Sequence, residues 1–509
     1  MALTWVLGFA GSVVVTTSCV VQDGEHCRHR NGDEACSGST PYCNECLASN
    51  QNAGCVAQEP DAGCYFGGDS PFAAGTATDA DTQPETSTTQ AASDGSSGAP
   101  AECTAEGLRD GACPATAPLC SGGACVDCET AGDAFCSALD TGTPVCGESG
   151  GCVQCTADDT TVCMGADVNF FCGPDGACSG CFEHAQCGGS GCDLYTGECL
   201  DASVFWVEGP PCAEGADTGD GTVEDPFCSL AKLRDALGDR STVHIMGSGN
   251  FDDSALVAAS DGDVLVLLGE GGKPTLTVVQ SAGGGRMYTQ NLRLEADGAS
   301  IVGCNTGGKL WLRDTDLIGN NSGFGMVATS NCEVTIERGI VARNDGGGIR
   351  TLGATLTLKS MAVMANGEEM MQTSGLQLEN TVARASHVTV IANEGLANIS
   401  CSDETELDVR NSIVMRLDGD SLSNCELATF HGVALDAEDY EDSDNRVLFV
   451  DYAASFFVEP DNEDPRLKVH DPFLDLALWA PGDPRVDIDG ESLETVVGAM
   501  NYAGADQRP

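Results

Sequence analysis

The sequence predicts a mainly β protein, a solenoid of stacked strands preceded by small disulfide-rich modules. Three observations carry that expectation. Strand and turn positions recur every 22–27 residues between about Lys309 and Asp418. Cysteine is abundant at 29 residues, and 22 of them lie between Cys27 and Cys199. Glycine is common (64 residues) while aromatics reach only 5%, which suits turn-rich, short-period architecture better than large helical cores.

In chain order, residues 1–19 form an apolar leader ending at Cys19. Thr16-Thr17-Ser18 followed by cysteine is similar to a bacterial lipoprotein signal, in which the cysteine is acylated and becomes the mature N-terminus. The leader departs from that pattern in having no Lys or Arg and in carrying Thr16 where an aliphatic is usual. An ordinary free thiol or a disulfide partner is the other reading of Cys19. Setting it aside leaves 28 cysteines in even groups, which argues against the second of these. Six lie between Cys27 and Cys64, sixteen between Cys103 and Cys199, and three pairs follow: Cys212/Cys228, Cys304/Cys332 and Cys401/Cys425. Disulfides at this density persist in an oxidising compartment. The expected location is therefore extracytoplasmic: secreted, or a lipoprotein of the cell surface or outer membrane.

Residues 20–66 read as a first cysteine-rich module. Residues 67–101 lack cysteine and are rich in Gly, Ser, Thr, Ala, Asp and Pro, so they read as a disordered linker that buries too little apolar surface to fold. Residues 102–200 repeat, with C-x-x-C endings at Cys125/Cys128, Cys152/Cys155 and Cys178/Cys181 spaced by 27 and then 26 residues. The clearest units are Cys136/Cys146/Cys152/Cys155 and Cys163/Cys172/Cys178/Cys181, and Cys43/Cys46 is expected to echo the same ending. Units this short cannot build a hydrophobic core, so cross-links must stabilise them. Zinc or redox chemistry would also use C-x-x-C, but neither a four-ligand set nor a thioredoxin-like context accompanies these motifs. Connectivity is not readable from spacing.

From Ser203 the order changes. Runs of period-two alternation begin at Lys309, Glu333, Thr355, Ala383 and Glu406. Inward positions are Leu310/Leu312, Val334/Ile336, Leu356/Leu358, Ala383/Ala385 and Leu407/Val409. A second apolar position follows at Leu317, Val341, Val363, Val390 and Val414. Three residues later come Asn320, Asn344, Asn366 and Asn393, with Asp418 one step out of phase. One coil cannot bury its face alone, so coils stack and the asparagines form a ladder along the axis. Cys304/Cys332 and Cys401/Cys425 are separated by 28 and 24 residues, about one coil, so each pair is expected to clip neighbouring turns. Cys212/Cys228 is expected to pin the entrance.

The stretch 203–500 resembles a right-handed parallel β-helix of the pectate-lyase-like superfamily. The resemblance rests on Phe205-Trp206-Val207, on Gly221-Thr222 through Pro226-Phe227 to Leu230, and on Asp464-Pro465, Asp487-Ile488-Asp489-Gly490 and Gly498-Ala499. It implies a capping helix over Ala231–Leu237 and a second cap at the C-terminus. The N-terminal repeats resemble those of secreted myxobacterial-type lipoproteins. The superfamily includes polysaccharide lyases, polygalacturonases, adhesins and members of unknown role, so fold alone does not choose a function.

A net charge of −55 (78 Asp+Glu against 23 Lys+Arg) disfavours phosphate-backbone binding and excludes nucleic acid as a partner. Two outward columns carry basic residues: Arg313, Glu337, Lys359, Ser386, Arg410 beside Trp311, Thr335, Thr357, Arg384, Asp408. Trp311, Arg313, Glu337, Lys359, Arg384 and Arg410 are the candidate glycan face, against the plainer reading of a solvated face of cross-strand pairs. No catalytic set and no metal site emerges. His387 and His431 read as turn or surface residues. Asp217–Gly221 and Asp487–Glu491 are fragments of calcium-loop spacing better read as Asp/Gly turns, so calcium is the one cofactor worth testing and none is expected. The function expected is an exported, lipid-anchored structural or binding protein that meets polysaccharide or another surface component. The alternative is a polysaccharide lyase or glycoside hydrolase.

Overall fold

A computed structural model describes residues 176–200, 203–209, 219–247, 255–368, 374–402, 404–416, 421–436, 447–450, 453–459, 464–469 and 472–506. It also describes Phe251 and short pieces of the earlier cysteine-rich region. Cys19, the linker 67–101, Cys212 and Asp418 lie outside these residues. By internal contacts the chain divides into two units, 1–96 and 97–509, so the repeats from Cys103 belong with the solenoid.

The solenoid is built of parallel strands in two long sheets, one of 17 strands and one of 8. The strands Lys309–Arg313, Glu333–Glu337, Thr355–Met364, Val382–Ile391 and Glu406–Arg410 stack in the register their alternation predicts. Their inward residues Leu310/Leu312 through Leu407/Val409 are each 4% exposed or less and belong to one continuous core. Helix Leu230–Ala236 closes the first turn: Ser229 Oγ accepts from Lys232 N at 3.2 Å, and Leu230 and Leu233 enter the same core.

The corner after each first strand uses left-handed backbone. Asn291, Asp314, Arg338, Ser360, His387, Asn411 and Gly432 have φ between 44° and 65°. Short polar residues tolerate that region best, and their side chains stack from coil to coil. Arg338 binds both oxygens of Asp314 at 2.6 and 2.7 Å, and Asn411 Nδ2 lies 3.2 Å from His387 Nε2. His387 is thus a turn residue but not a surface one, because its corner is covered and the ring is fully buried.

The asparagine ladder is present at Asn320, Asn344, Asn366 and Asn393, all buried. Asn344, Asn366 and Asn393 each occupy the room beside a glycine. A Cβ on Gly325 would meet Asn344 Nδ2 at 2.9 Å, and one on Gly375 would meet Asn393 Nδ2 at 2.5 Å. In the next coil that glycine position is taken by Asn398, and Asn393 Nδ2 donates to its Oδ1 at 3.0 Å. Asn398 therefore continues the ladder from the neighbouring column, a rung that spacing did not reveal.

Disulfides Cys304–Cys332 and Cys401–Cys425 join neighbouring turns of the smaller sheet. Cys228 is disulfide-bonded. In the repeats the bonds between described residues include Cys136–Cys152, Cys155–Cys172, Cys163–Cys178, Cys181–Cys192 and Cys187–Cys199. The bonded unit therefore runs across the expected one, because Cys155 pairs forward into the next hairpin. Cys43 lies opposite Cys55 in a hairpin, as Cys172 lies opposite Cys178. That corrects the expected Cys43/Cys46 echo, since Cys43 matches the first hairpin cysteine and not the C-x-x-C ending.

The C-terminal segment runs back along the flank of the solenoid. Outward positions of the second strands (Ala342, Ala362, Met364, Ile391, Ile413, Met415 and Ala434) form a separate apolar cluster with Phe457, Leu467, Phe473 and Ala503. Gly504 N donates to Asn411 O at 2.9 Å and Ala505 N to Thr389 Oγ1 at 2.9 Å. The segment containing Asp487-Ile488-Asp489-Gly490, expected in a terminal cap, lies on this flank. Ser360 Oγ donates to Val486 O at 2.7 Å.

Candidate functional site

The strand Val264–Glu270 (VLVLLGE) is apolar on both faces, the pattern of a strand buried on both sides. Leu265 and Leu267 point into the core, while Val264 and Val266 point outward beneath the last cysteine-rich hairpin, packing with Leu200 and Tyr288. Polar bonds fix that hairpin to the sheet. Buried Asp193 accepts from Arg286 Nη1 and Tyr288 OH, both at 2.6 Å, and Thr242 Oγ1 accepts from Gly191 N at 2.7 Å. Burial, then the Asp193 bond, pushes the Tyr288 phenol well above its usual range.

Between this hairpin and the C-terminal segment lies a cleft of about 490 Å³. Its floor is Trp311, Arg313, Glu337 and Lys359 from three successive rungs, with Arg338 at the corner. Phe182, Glu183 and Leu194 form one wall, and Asp483, Pro484, Arg485 and Val486 the other. Four cations face three carboxylates here, in a chain whose acidic residues outnumber basic ones 78 to 23. Arg313 is shared between Glu183 at 3.5 Å and Glu337 at 3.8 Å. The Lys359 ammonium makes no hydrogen bond or ion pair with the described residues, and Trp311 Nε1 is buried without a partner among them.

Four of the six candidate face residues thus meet in one cleft. Arg384 stays exposed on its rung outside it, and Arg410 turns to Asp483 at 3.6 Å. Burial holds the Asp483 carboxyl above its usual range, opposed by Arg410 and Lys359. The walls were not foreseen, because Phe182, Glu183 and Asp483 lie far from the floor in sequence. The doubly apolar strand and the apolar outward column were the available signals that something covers the sheet.

Two buried histidines flank the site. His184 accepts from Cys192 N at 3.0 Å, and burial, aided by Arg313, lowers its pKa from 6.5 to about 4. Burial and Arg410 lower that of His387 to about 3. Their folded values lie below the unfolded one, so the stability they contribute is complete above pH 6.5 and lost as pH falls towards 4 and 3. Asp487, raised to about 6 by burial and then by Asp506, Asp489 and Glu491, opposes them by taking up a proton in the fold. Urea unfolding between pH 6 and 4 should show stability falling on acidification, each histidine contributing about 1.4 kcal/mol per pH unit. His387→Asn, compatible with the left-handed corner, should shallow the slope. An unchanged slope would remove His387 from this account.

The C-x-x-C cysteines bonded at Cys152/Cys155 and Cys178/Cys181 each pair outside their own motif, so these sulfurs are not available as zinc or redox dithiols. Asp220 accepts from Thr222 N and Oγ1 at 3.0 and 2.7 Å, and Asp487 Oδ1 accepts from Asp489 N and Glu491 N at 3.1 and 2.8 Å. Both are Asp turns closed on their own backbone.

Residues 88–205 match a family model described as a family of unknown function, DUF8331. No curated protein matches the chain. Among solved structures it is similar to pectate lyase Pel9A at 9% identity and TM-score 0.33, covering 60% of this chain and 97% of that one. A rhamnogalacturonan lyase matches at 10% identity and TM-score 0.28, covering 59% and 96%. The GH136 lacto-N-biosidase of Eubacterium ramulus matches at 9% identity and TM-score 0.21, covering 49% and 68%. The assignment of a parallel β-solenoid rests on the strand register itself. Disulfide-bonded repeats precede it, as befits an extracytoplasmic protein. No helix among the described residues is long and apolar enough to cross a membrane.

Proposed function

We propose that this is an exported surface protein, held to a membrane through acylated Cys19, whose cleft binds an acidic polysaccharide. The observation that carries the reading is the local excess of cations on a strongly acidic chain. Field lines from Arg313, Lys359 and Arg485 are focused between two low-dielectric walls, which favours an anionic chain over a neutral one. Lys359 supplies an uncommitted cation, and Phe182 and Trp311 supply aromatic surface for sugar rings.

The test is a panel of acidic and neutral polysaccharides with and without calcium, scored for binding and for unsaturated product in the same assay. Acidic polymers should bind without cleavage, and Lys359→Glu should weaken binding at least about tenfold, the equivalent of about 1.4 kcal/mol. Equal binding of neutral polymers, or an indifferent Lys359→Glu, would overturn the reading. Unsaturated product would replace it with a lyase. Separately, Cys19→Ser should release the protein from the membrane fraction.

A further inference from the structure

We propose that one pairing rule assigns the partners of the hairpin cysteines from Cys27 to Cys199, and that the C-x-x-C motifs from Cys125 onward are couplers between consecutive hairpins. The rule is read from the bonded units. In each hairpin two cysteines face one another: Cys146 and Cys152, Cys172 and Cys178, Cys192 and Cys199. Facing cysteines do not bond each other. Each instead reaches back to one of two cysteines in the segment entering the hairpin. The first hairpin cysteine takes the farther one, as in Cys155–Cys172 and Cys181–Cys192. The second takes the nearer, as in Cys136–Cys152, Cys163–Cys178 and Cys187–Cys199. Two interleaved bonds thus staple each incoming segment across both strands of its hairpin.

The farther cysteine of one unit stands three residues after the second hairpin cysteine of the unit before it. A C-x-x-C motif therefore holds one sulfur bonded backward and one bonded forward, with only two residues between consecutive units. Its cysteines cannot also close on each other without orphaning two others.

The same rule reaches the remaining cysteines through their hairpins. Cys120 faces Cys125, and Cys125 and Cys146 are both in disulfides. The assignments are Cys103–Cys120, Cys113–Cys125 and Cys128–Cys146. Cys43 faces Cys55, which assigns Cys27–Cys43 and Cys36–Cys55 and leaves Cys46 to Cys64. Cys212 then falls to Cys228, and Cys19 is the single sulfur outside the scheme. Each bond forms as two thiols give up two protons and two electrons to a disulfide-bearing oxidant of the exporting compartment, which leaves as a dithiol. The repeats so joined are one covalently laced arm, and its last unit supplies Phe182, Glu183 and Leu194 to the cleft wall.

The experiment is peptide mapping of the full-length exported protein, alkylated without reduction and digested at low pH to prevent exchange. Cross-linked peptides for all six assigned repeat pairs are expected. A peptide closed within Cys125–Cys128, Cys152–Cys155 or Cys43–Cys46, or a mixture of connectivities in the folded fraction, overturns the rule. Cys128→Ser should liberate one thiol, at Cys146, and leave Cys125 blocked. Liberation at Cys125 instead would also overturn it. None of these outcomes depends on what the cleft binds.

Discussion

Replacing Asn366 with leucine should lower the solenoid's stability by about 3–6 kcal/mol, because several buried polar groups lose a hydrogen bond at once. Asn366 Nδ2 donates to Val341 O at 2.8 Å, Met364 O at 3.0 Å and Asn393 Oδ1 at 3.0 Å. Its Oδ1 accepts from Asn344 N at 3.2 Å and Asn344 Nδ2 at 2.9 Å. Leucine has nearly the same size but leaves the buried Asn344 N–H facing hydrocarbon and reduces Asn344 Nδ2 to its bond with Leu317 O. The glycine at the next position removes any room for rearrangement, since a Cβ on Gly348 would meet Gly375 O and approach Asn366 Nδ2 at 3.1 Å. Denaturant unfolding of oxidised protein checks the prediction. Asn321→Leu is the control, as its exposed bond to Asp297 at 2.8 Å should be worth under about 1 kcal/mol. Equal costs for the two variants would mean the ladder is ornamental.

The second large effect is expected at Ile413→Asp. Ile413 points outward from its strand yet is completely buried, with Gly504 so close that a Cβ there would lie 2.7 Å from Ile413 Cδ1. An aspartate would place an unpaired charge under the flank, at a cost of about 3–5 kcal/mol, comparable to breaking a buried ion pair. The cheapest relief is to lift the covering segment. Hydrogen exchange should therefore accelerate across 472–506 and leave the Leu356 and Leu407 strands protected, because their core lies on the other side of the sheet. Asp483 leaves with the segment, so the cleft should lose one wall and its ligand together. Uniform loss of protection would show that the flank and the coils unfold as one.

Much of the fold is legible in sequence because its determinants are periodic and local. Inward Leu312, Ile336 and Leu358, the second apolar positions and the asparagines each recur once per coil, and stacking turns that repetition directly into columns. Asn398 escaped because it enters the ladder from a column otherwise held by glycine. His387 reads as a turn or surface residue because nothing adjacent to it in the chain reveals that Leu478 and Asp483 come to rest on Asn411, the next rung of its corner.

The cleft shows the same division. Trp311, Arg313, Glu337 and Lys359 are neighbours across rungs, so register alone places them on one face. Whether that face is open depends on docking between residues more than a hundred positions apart, through contacts such as Glu183 with Arg313 and Val486 with Ser360. Those contacts carry no period and no motif. By itself, then, the sequence determined the coils, their core and the rows of outward charge, because each follows from spacing within a repeat. Only the tertiary structure decided which rows are covered, which sulfurs meet and where a cleft remains, because those depend on surfaces that complement one another only after the coils have formed.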